Sequence, residues 1–288
     1  MKLTEGVWLD IHSIDDKTSA QLQKLGIQAH TLEQLRQNLH HLGLTKHEPY
    51  VLLTIVATLI KEEETQPIYT KSALLHILFD QKFIVTLHEH SLQTIDDTKN
   101  WSQTNPAKPE DVLFRLLRRI LLQYLQDANE LVVTLEKING QFLRHPYSEL
   151  YHPFLAVRRR NSHLRQALSP AMQAFYELKD PKLQFVSEQL RPFFRDLYDL
   201  GQLITQRISN VDDSISSLIQ SFASVQSNEM NKTIKVLTII STFAIPAEVI
   251  AGVYGMNFYI PEIHWPFGYA YALVLILITS FGLYILLK

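Results

Sequence analysis

The pattern of apolar and polar positions divides the chain into a mixed first part, a helical middle and an almost uncharged end. In residues 1–110, the apolar runs VWLDI, YVLLTIVATLI and KFIVTLHEH are typical of strands. Residues 19–25 and 32–42 have the spacing of short helices. The pattern therefore predicts an α+β domain over residues 1–110.

The middle of the chain is predicted to be helical. Residues 111–145 and 147–178 carry apolar side chains at helical spacing, which makes residues 111–191 the helical part of the same domain. Residues 193–245 contain no proline, so one helix of roughly 80 Å is possible at 1.5 Å per residue. We expect its part over residues 192–235 to form a stalk that leads into a membrane.

The stalk carries one apolar stripe with alternating spacings of four and three residues. Its members are Ile204, Ile208, Val211, Ile215, Leu218, Phe222 and Val225. Such a stripe is either a core face within one chain or the seam of a symmetric bundle. Because the helix is predicted to continue into a membrane span, we favour the symmetric bundle.

The end of the chain predicts two membrane spans. Residues 267–287 have no charged side chain and would make a helix of about 31 Å, which matches a hydrocarbon core of about 30 Å. Residues 236–257 carry a single charge, Glu248, and form the first span, so residues 258–266 become a short loop. That loop has no Lys or Arg, whereas Lys232, Lys235 and Lys288 flank the spans on the other side. Excess positive charge marks the cytoplasmic side, so we expect both termini in the cytoplasm.

Composition narrows the function. Lys and Arg number 27 against 29 Asp and Glu, so no net basic charge favours nucleic acid as a partner. The absence of Cys excludes disulfides, thiolate metal sites and cysteine nucleophiles. The first residues lack the apolar core of a secretory signal, which predicts that the N-terminal part stays in the cytoplasm. The sequence contains neither a Gly-rich phosphate loop nor a nucleophile elbow, so we expect neither an enzyme nor an organic cofactor.

One motif lies at the end of the first predicted span, where Gly255, Met256 and Asn257 are followed by Pro261 and Glu262. The run NKTIKVLTIISTFAIPAEVIAGVYGMNF resembles the CorA family of divalent-cation channels, whose signature is Gly-Met-Asn at this place. The resemblance continues more weakly through FRDLYDLGQLITQRISNVDD and RRNSHLRQALSP toward the N-terminus. It covers essentially the whole chain.

The resemblance implies a funnel-shaped homopentamer in the cell (inner) membrane, in contact with lipid. The first span would line the pore and the second would form an outer ring. It further implies influx of Mg²⁺, and of Co²⁺ and Ni²⁺, with intracellular Mg²⁺ as the regulatory ion. Asp196 and Asp199 are the candidate regulatory ligands, with Asp212 and Asp213 as weaker candidates; the alternative is that all four are ordinary surface charges.

Heptad spacing places small and polar side chains of the first span on one face, which we interpret as the pore lining. Together with Leu237, the candidate pore-lining and gate residues are Asn231, Ile234, Thr238, Ser241, Ile245, Glu248 and Gly252. Ile234 and Leu237 would form an apolar gate. The alternative is that these small residues only allow close helix packing.

At the outer end, Gly255, Met256 and Asn257 would form the selectivity filter. Mg²⁺ gives up its water reluctantly, so neutral amide oxygens of Asn257 would bind the hydrated ion. Glu262 in the external loop would concentrate cations.

Glu248 departs from the family pattern, in which a small polar residue such as Thr is usual at this position. A carboxylate at this depth needs water, a cation or a proton. It therefore keeps open a Zn²⁺ or proton-coupled transporter of the same fold. A second alternative is a membrane-anchored enzyme or a scaffold.

His88 and His90 would point to one face if residues 82–90 were a strand, a spacing compatible with a metal site. No third ligand is evident from the sequence. Arginines at positions 115, 118, 119, 158, 159, 160 and 165 form basic clusters, which we expect to pair with acidic helices or to lie near anionic lipid headgroups.

Overall fold

A computed structural model describes residues 2–3, 6–37, 41–58, 72–144, 151–180, 185–257 and 259–287. The described chain divides into two compact units, Met1–Leu218 and Ile219–Lys288. Within these ranges the strands are β1 (Lys2–Leu3), β2 (Gly6–Ile11), β3 (Gly43–Lys46), β4 (Val51–Thr58), β5 (Ser72–Phe79) and β6 (Phe83–Leu87). The helices are α1 (Asp16–Lys24), α2 (Ala29–Arg36), α3 (Gln93–Thr104), α4 (Pro109–Arg144), α5 (Tyr151–Leu178), α6 (Arg191–Tyr254) and α7 (Gly268–Leu287).

The six strands form one mixed sheet in the order β1-β2-β6-β5-β4-β3. β2 and β6 are parallel, and the other neighbours are antiparallel. Consecutive residues of β4 from Val51 to Ile55 are all buried, so this strand is covered on both faces. That burial explains its nearly continuous apolar sequence.

Helices cover the sheet on both sides. On one face, α1 and α2 contribute Leu22, Leu32 and Leu35 to a core shared with Leu52 and Val85 of the sheet. Side chains alternate along a strand, so the neighbours of Leu52 in β4 point to the opposite face. There α4 contacts β4 and β6, and α5 contacts β3 and β4.

The predicted fold class is confirmed: an α+β first part is followed by a very long helix and a final apolar helix. The sequence did not predict β1, β3, β5 or α3. The second short helix ends at Arg36 rather than continuing to residue 42, and residues 38–40 of that prediction lie outside the described residues. α6 runs without interruption through Pro246.

The apolar stripe of α6 is buried inside this chain as far as Leu218. Phe222 and Val225, which follow, are only partly buried. The preference for a symmetric seam was therefore wrong for Ile204 to Leu218. Helix α5 accounts for part of this burial, because the side-chain amide of Asn161 donates to the Ile208 carbonyl at 3.1 Å.

Gly6, at the start of β2, offers a test of the sheet. Its φ is +156°, and a Cβ atom there would lie 2.5 Å from the backbone oxygen of Lys82. We expect Gly6→Ala to destabilise the protein by about 1–3 kcal/mol, because the backbone of β2 must move away from residue 82. Urea unfolding of the full chain in detergent, followed by tryptophan fluorescence, measures this.

The matched control is Gly140→Ala in α4, where nothing lies within 4 Å of the added methyl group. Alanine favours a helix over glycine by about 0.5–1 kcal/mol, so this variant should be at least as stable as the wild type. Equal stability of the two variants would contradict the close approach at Gly6.

Candidate cation pathway

Among the described residues, two helices are long and apolar enough to cross a membrane, α6 within Arg191–Tyr254 and α7 over Gly268–Leu286. Only 6% of the most apolar window of each helix is buried inside the chain. A soluble protein rarely exposes so large an apolar surface, whereas a lipid environment covers it at no cost. The two helices therefore have the exposure expected of membrane spans.

The two apolar helices contact each other along one side of α6. Thr242 is 4% exposed there, and the hydroxyl of Ser280 donates to the Phe243 carbonyl at 3.4 Å. The rings of Phe243 and Tyr284 stack with their centroids 6.0 Å apart. These contacts fix which side of α6 faces α7.

The predicted pore face lies about one third of a turn around α6 from the side that contacts α7, at 3.6 residues per turn. Most of its side chains are exposed in the single chain: Asn231, Ile234, Leu237, Thr238, Ile245, Glu248 and Gly252. Ser241 is half-buried. The chain thus leaves this face of α6 largely open.

Gly255, Met256 and Asn257 form the turn that ends α6. The amide of Gly255 donates to the Ala251 carbonyl at 2.9 Å, and that of Met256 donates to Val253 at 3.2 Å. Asn257 follows with an exposed side chain. The carboxyl end of a helix carries a partial negative charge, which favours cations next to this turn.

The loop after this turn contains a short 3-10 helix, Pro261–His264, in which Glu262 is half-buried. Aromatic side chains surround it. The rings of Tyr259 and His264 lie 5.8 Å apart, and those of Trp265 and Tyr271 lie 5.9 Å apart. Trp and Tyr concentrate where a membrane meets water, so this end of the two helices has the composition of an interface.

Asp196 is exposed on the first turns of α6 and lines a cleft of about 960 Å³ in the first unit. Asp97 and Asp111 line the same cleft. Asp97 forms an ion pair with Arg119, and Asp111 accepts the backbone N–H of Lys108 at 2.8 Å. Asp199 is also exposed, but it does not line this cleft.

Asp212 joins α6 to α5. It forms an ion pair with Arg165 and accepts the side-chain amide of Asn161 at 2.6 Å. Arg160 on α5 likewise binds Asp127 at 2.7 Å and Glu130 at 2.8 Å. These arginines pair with acidic groups of neighbouring helices, which is one of the two roles expected of the basic clusters.

His88 and His90 do not share a strand face, because β6 ends at Leu87. His88 is buried, and its Nε2 lies 3.0 Å from Asp10 Oδ1 on the neighbouring strand. Its Nδ1 lies 2.6 Å from the backbone carbonyl of His90, whose side chain is exposed. The partners of His88 are thus Asp10 and His12, with one ligand atom from each residue within 4.8 Å of the others.

Asp10 and His88 each stabilise the charged form of the other. Burial raises the pKa of Asp10, but hydrogen bonds from His88, Lys99 and Thr86 outweigh it and hold that pKa well below its usual range. Burial lowers the pKa of His88, and the hydrogen bond and charge of Asp10 outweigh that effect, so the pKa of His88 is raised. Asp10 and His88 are 78 residues apart, so no local spacing in the sequence predicts their contact.

Comparisons with known proteins cover nearly the whole chain. The sequence model of the family described as CorA-like Mg²⁺ transporter protein matches residues 4–288. A putative metal ion transporter of Bacillus subtilis, YfjQ, is 27% identical over 96% of this chain and 87% of its own length. The cobalt/magnesium transport protein CorA of Thermotoga maritima is 34% identical over 52% of this chain and 45% of its own length.

Among solved structures, that of the CorA magnesium transporter from Methanocaldococcus jannaschii superimposes with a TM-score of 0.78 and 21% identity. The match covers 98% of this chain and 90% of that protein. At this identity the likeness establishes a common fold.

Proposed function

Since the chain belongs to the CorA-like Mg²⁺ transporter protein family, it is a divalent-cation transporter with C-terminal membrane helices, and we propose that it conducts Mg²⁺ into the cell. Family members are transport proteins, so the prediction that the chain is not an enzyme is confirmed. In this proposal Co²⁺ and Ni²⁺ cross by the same pathway, which discriminates less between these two ions. Mg²⁺ is therefore the transported ion and not a bound cofactor.

The observation that carries the proposal is the position of Asn257, exposed at the carboxyl end of α6 beside the turn of Gly255 and Met256. A ring of its amide oxygens offers neutral acceptors to the water molecules that Mg²⁺ retains. The helix end adds partial negative charge at the same place. Glu262, in the loop that follows, raises the local concentration of cations.

We place the parts of the proposed transporter at the boundaries that the sequence suggested. Residues 1–110 and 111–191 form the cytoplasmic domain, 192–235 the stalk and 236–257 the pore-lining span. Residues 258–266 form the external loop and 267–287 the outer span. The open face of α6 supports this arrangement, because α7 packs against a different side.

Five copies of the chain would surround one pore in the cell membrane, with both termini in the cytoplasm. Two observations support this orientation: lysines 232 and 235 precede the first span, and the aromatic rings of Trp265 and Tyr271 lie at the opposite end of the two helices. Ile234 and Leu237, which are 52% and 62% exposed in the single chain, would meet their copies in a narrow apolar gate. Asn231 would form a polar ring one turn below.

Regulation is proposed at Asp196, with Asp199 nearby. A Mg²⁺ ion held by carboxylates of adjacent subunits would keep them together, and its loss would let them separate. Asp196 and Asp199 are both exposed in the single chain, which leaves their carboxylates open to an adjacent subunit.

The proposal is tested by ion uptake into proteoliposomes that contain the purified full chain. An inside-negative potential should drive Mg²⁺ influx, and an imposed pH gradient without a potential should not. Uptake that prefers Zn²⁺, or that follows the pH gradient, would contradict Mg²⁺ conduction and favour the proton-coupled alternative. No uptake of any divalent ion would contradict both.

Glu248 is the residue that favours the alternative, because its side chain is exposed on the open face of α6. Five carboxylates in one ring must bind cations or protons. We expect Glu248→Gln to change the ratio of Zn²⁺ to Mg²⁺ uptake by about tenfold, which corresponds to about 1.4 kcal/mol of ion binding. Competition between the two ions in the liposome assay measures this ratio.

The control is Glu136→Gln, the same substitution at an exposed position of α4 in the first unit. It should leave the ratio unchanged. A wild-type ratio and pH dependence in Glu248→Gln would show that Glu248 does not face the ions.

A further inference from the structure

We propose that Asp10, His12 and His88 form a binding site for a transition-metal cation of the Zn²⁺, Co²⁺ or Ni²⁺ type in the first unit. One ligand atom of each residue lies within 4.8 Å of the other two. The site uses none of the residues of the proposed pathway, so it does not depend on Mg²⁺ conduction.

The parallel pair β2 and β6 brings the three residues together. Asp10 is opposite Thr86 and Ile11 is opposite Leu87, so His12 and His88 follow directly after the last paired residues. The amide of His88 donates to the Ile11 carbonyl at 3.1 Å and extends the pairing by one step. Parallel strands end at the same edge of a sheet, which makes their following side chains neighbours.

The hydrogen bonds of His88 prepare it to bind a cation. A carbonyl oxygen only accepts, so the Nδ1–H of His88 must donate to the His90 carbonyl at 2.6 Å. This contact orients Nε2 toward Asp10 Oδ1, 3.0 Å away. An imidazole fixed by a carbonyl in this way is the usual arrangement around a metal-bound histidine.

Asp10 is held equally firmly. Its Oδ2 accepts from Lys99 Nζ at 2.6 Å, and its Oδ1 accepts from the hydroxyl of Thr86. Thr86 is positioned in turn by the indole N–H of Trp8 at 3.1 Å. Lys99 occupies Oδ2, whereas Oδ1 faces His88 Nε2 across the 3.0 Å hydrogen bond. A cation bound by Oδ1 and Nε2 would replace the proton of this hydrogen bond, which is released to solvent.

The third ligand gives access from solvent. His12 is exposed, and its ring contacts that of His88 edge-on with centroids 4.5 Å apart. Two clefts of about 310 and 510 Å³ both reach His12, one beside Asp10 and the other beside His88. A cation can therefore enter from water, keep some of its water molecules and draw the His12 ring into place.

The donor set selects the class of cation. Two imidazoles and one carboxylate suit Zn²⁺, Co²⁺ and Ni²⁺. Mg²⁺ prefers oxygen ligands and sheds water reluctantly, so it should compete poorly. The site therefore distinguishes these metals from the proposed cargo.

Co²⁺ titration of the purified full chain in detergent, with millimolar Mg²⁺ present, tests the site through the visible absorption of bound Co²⁺. We expect Zn²⁺ to displace that Co²⁺. His12→Ala and Asp10→Asn should each weaken this binding by at least about tenfold. His12 is exposed, so His12→Ala should keep the circular dichroism spectrum of the wild type.

The matched control is His90→Ala, which removes an exposed imidazole but keeps the backbone carbonyl that orients His88. It should bind Co²⁺ as the wild type does. Identical titrations of the wild type and His12→Ala would overturn the proposal. Displacement by Mg²⁺ as effective as that by Zn²⁺, or a loss in His90→Ala equal to that in His12→Ala, would overturn it as well.

Discussion

Asn257→Ala is expected to reduce Mg²⁺ uptake into proteoliposomes by about a hundredfold or more. The substitution removes one amide oxygen per chain, and in the proposed pentamer five at once. Each hydrogen bond contributes on the order of 1 kcal/mol, so the loss of five weakens binding of the hydrated ion by more than two orders of magnitude. Initial rates of uptake under a fixed membrane potential measure the effect.

The control for this prediction is Asn210→Ala, the same substitution at an exposed position of α6 in the first unit. It should transport Mg²⁺ as the wild type does. If both variants keep wild-type rates while the wild type conducts Mg²⁺, Asn257 is not the filter. If both lose activity equally, the effect of Asn257→Ala reflects general damage to α6.

The second large effect is a loss of stability caused by a substitution at the start of α6. Phe194 is completely buried, and its ring lies 6.0 Å from that of Phe114 on α4. Phe194→Ala should destabilise the first unit by about 3–5 kcal/mol, because it removes this burial and leaves a cavity between two helices. Thermal unfolding of the full chain in detergent, followed by circular dichroism, should show a clearly lower midpoint.

Phe193 provides a neighbour of the same type for comparison. It is 47% exposed, although its ring also contacts Phe114 with centroids 5.6 Å apart. We expect Phe193→Ala to cost less than about 1 kcal/mol. A larger loss for Phe193→Ala than for Phe194→Ala would mean that α6 is rotated relative to α4.

The pathway depends on patterns that are local in sequence. Apolar runs of membrane length, lysines at one end and the Gly-Met-Asn motif all lie within residues 231–288. Helical periodicity places residues four and seven apart on one face, so the face of α6 that includes Ser241 and Glu248 could be predicted without a structure. Residues 193–245 contain no proline, and the next one is Pro246. This predicted that the stalk and the first span form one helix.

The apolar stripe of α6 shows where sequence patterns are not sufficient. The spacing of Ile204, Ile208 and Val211 is the same for a core face and for a symmetric seam. Only the packing of α5 against α6, through Asn161 and through the pair of Arg165 with Asp212, shows that one chain buries it. The same contacts give Asp212 a role between helices, which its place in the sequence did not indicate.

Local sequence patterns were therefore enough to predict the α+β first part, the long helix, the two apolar helices and the motif at the end of the first of them. The partners of His88 are visible only in the folded chain. Its apparent companion in sequence, His90, has an exposed side chain, whereas Asp10 lies 78 residues away. Helical faces follow from the geometry of a single segment, but pairing of β2 with β6 joins distant segments, and no spacing along the chain encodes which strands will meet.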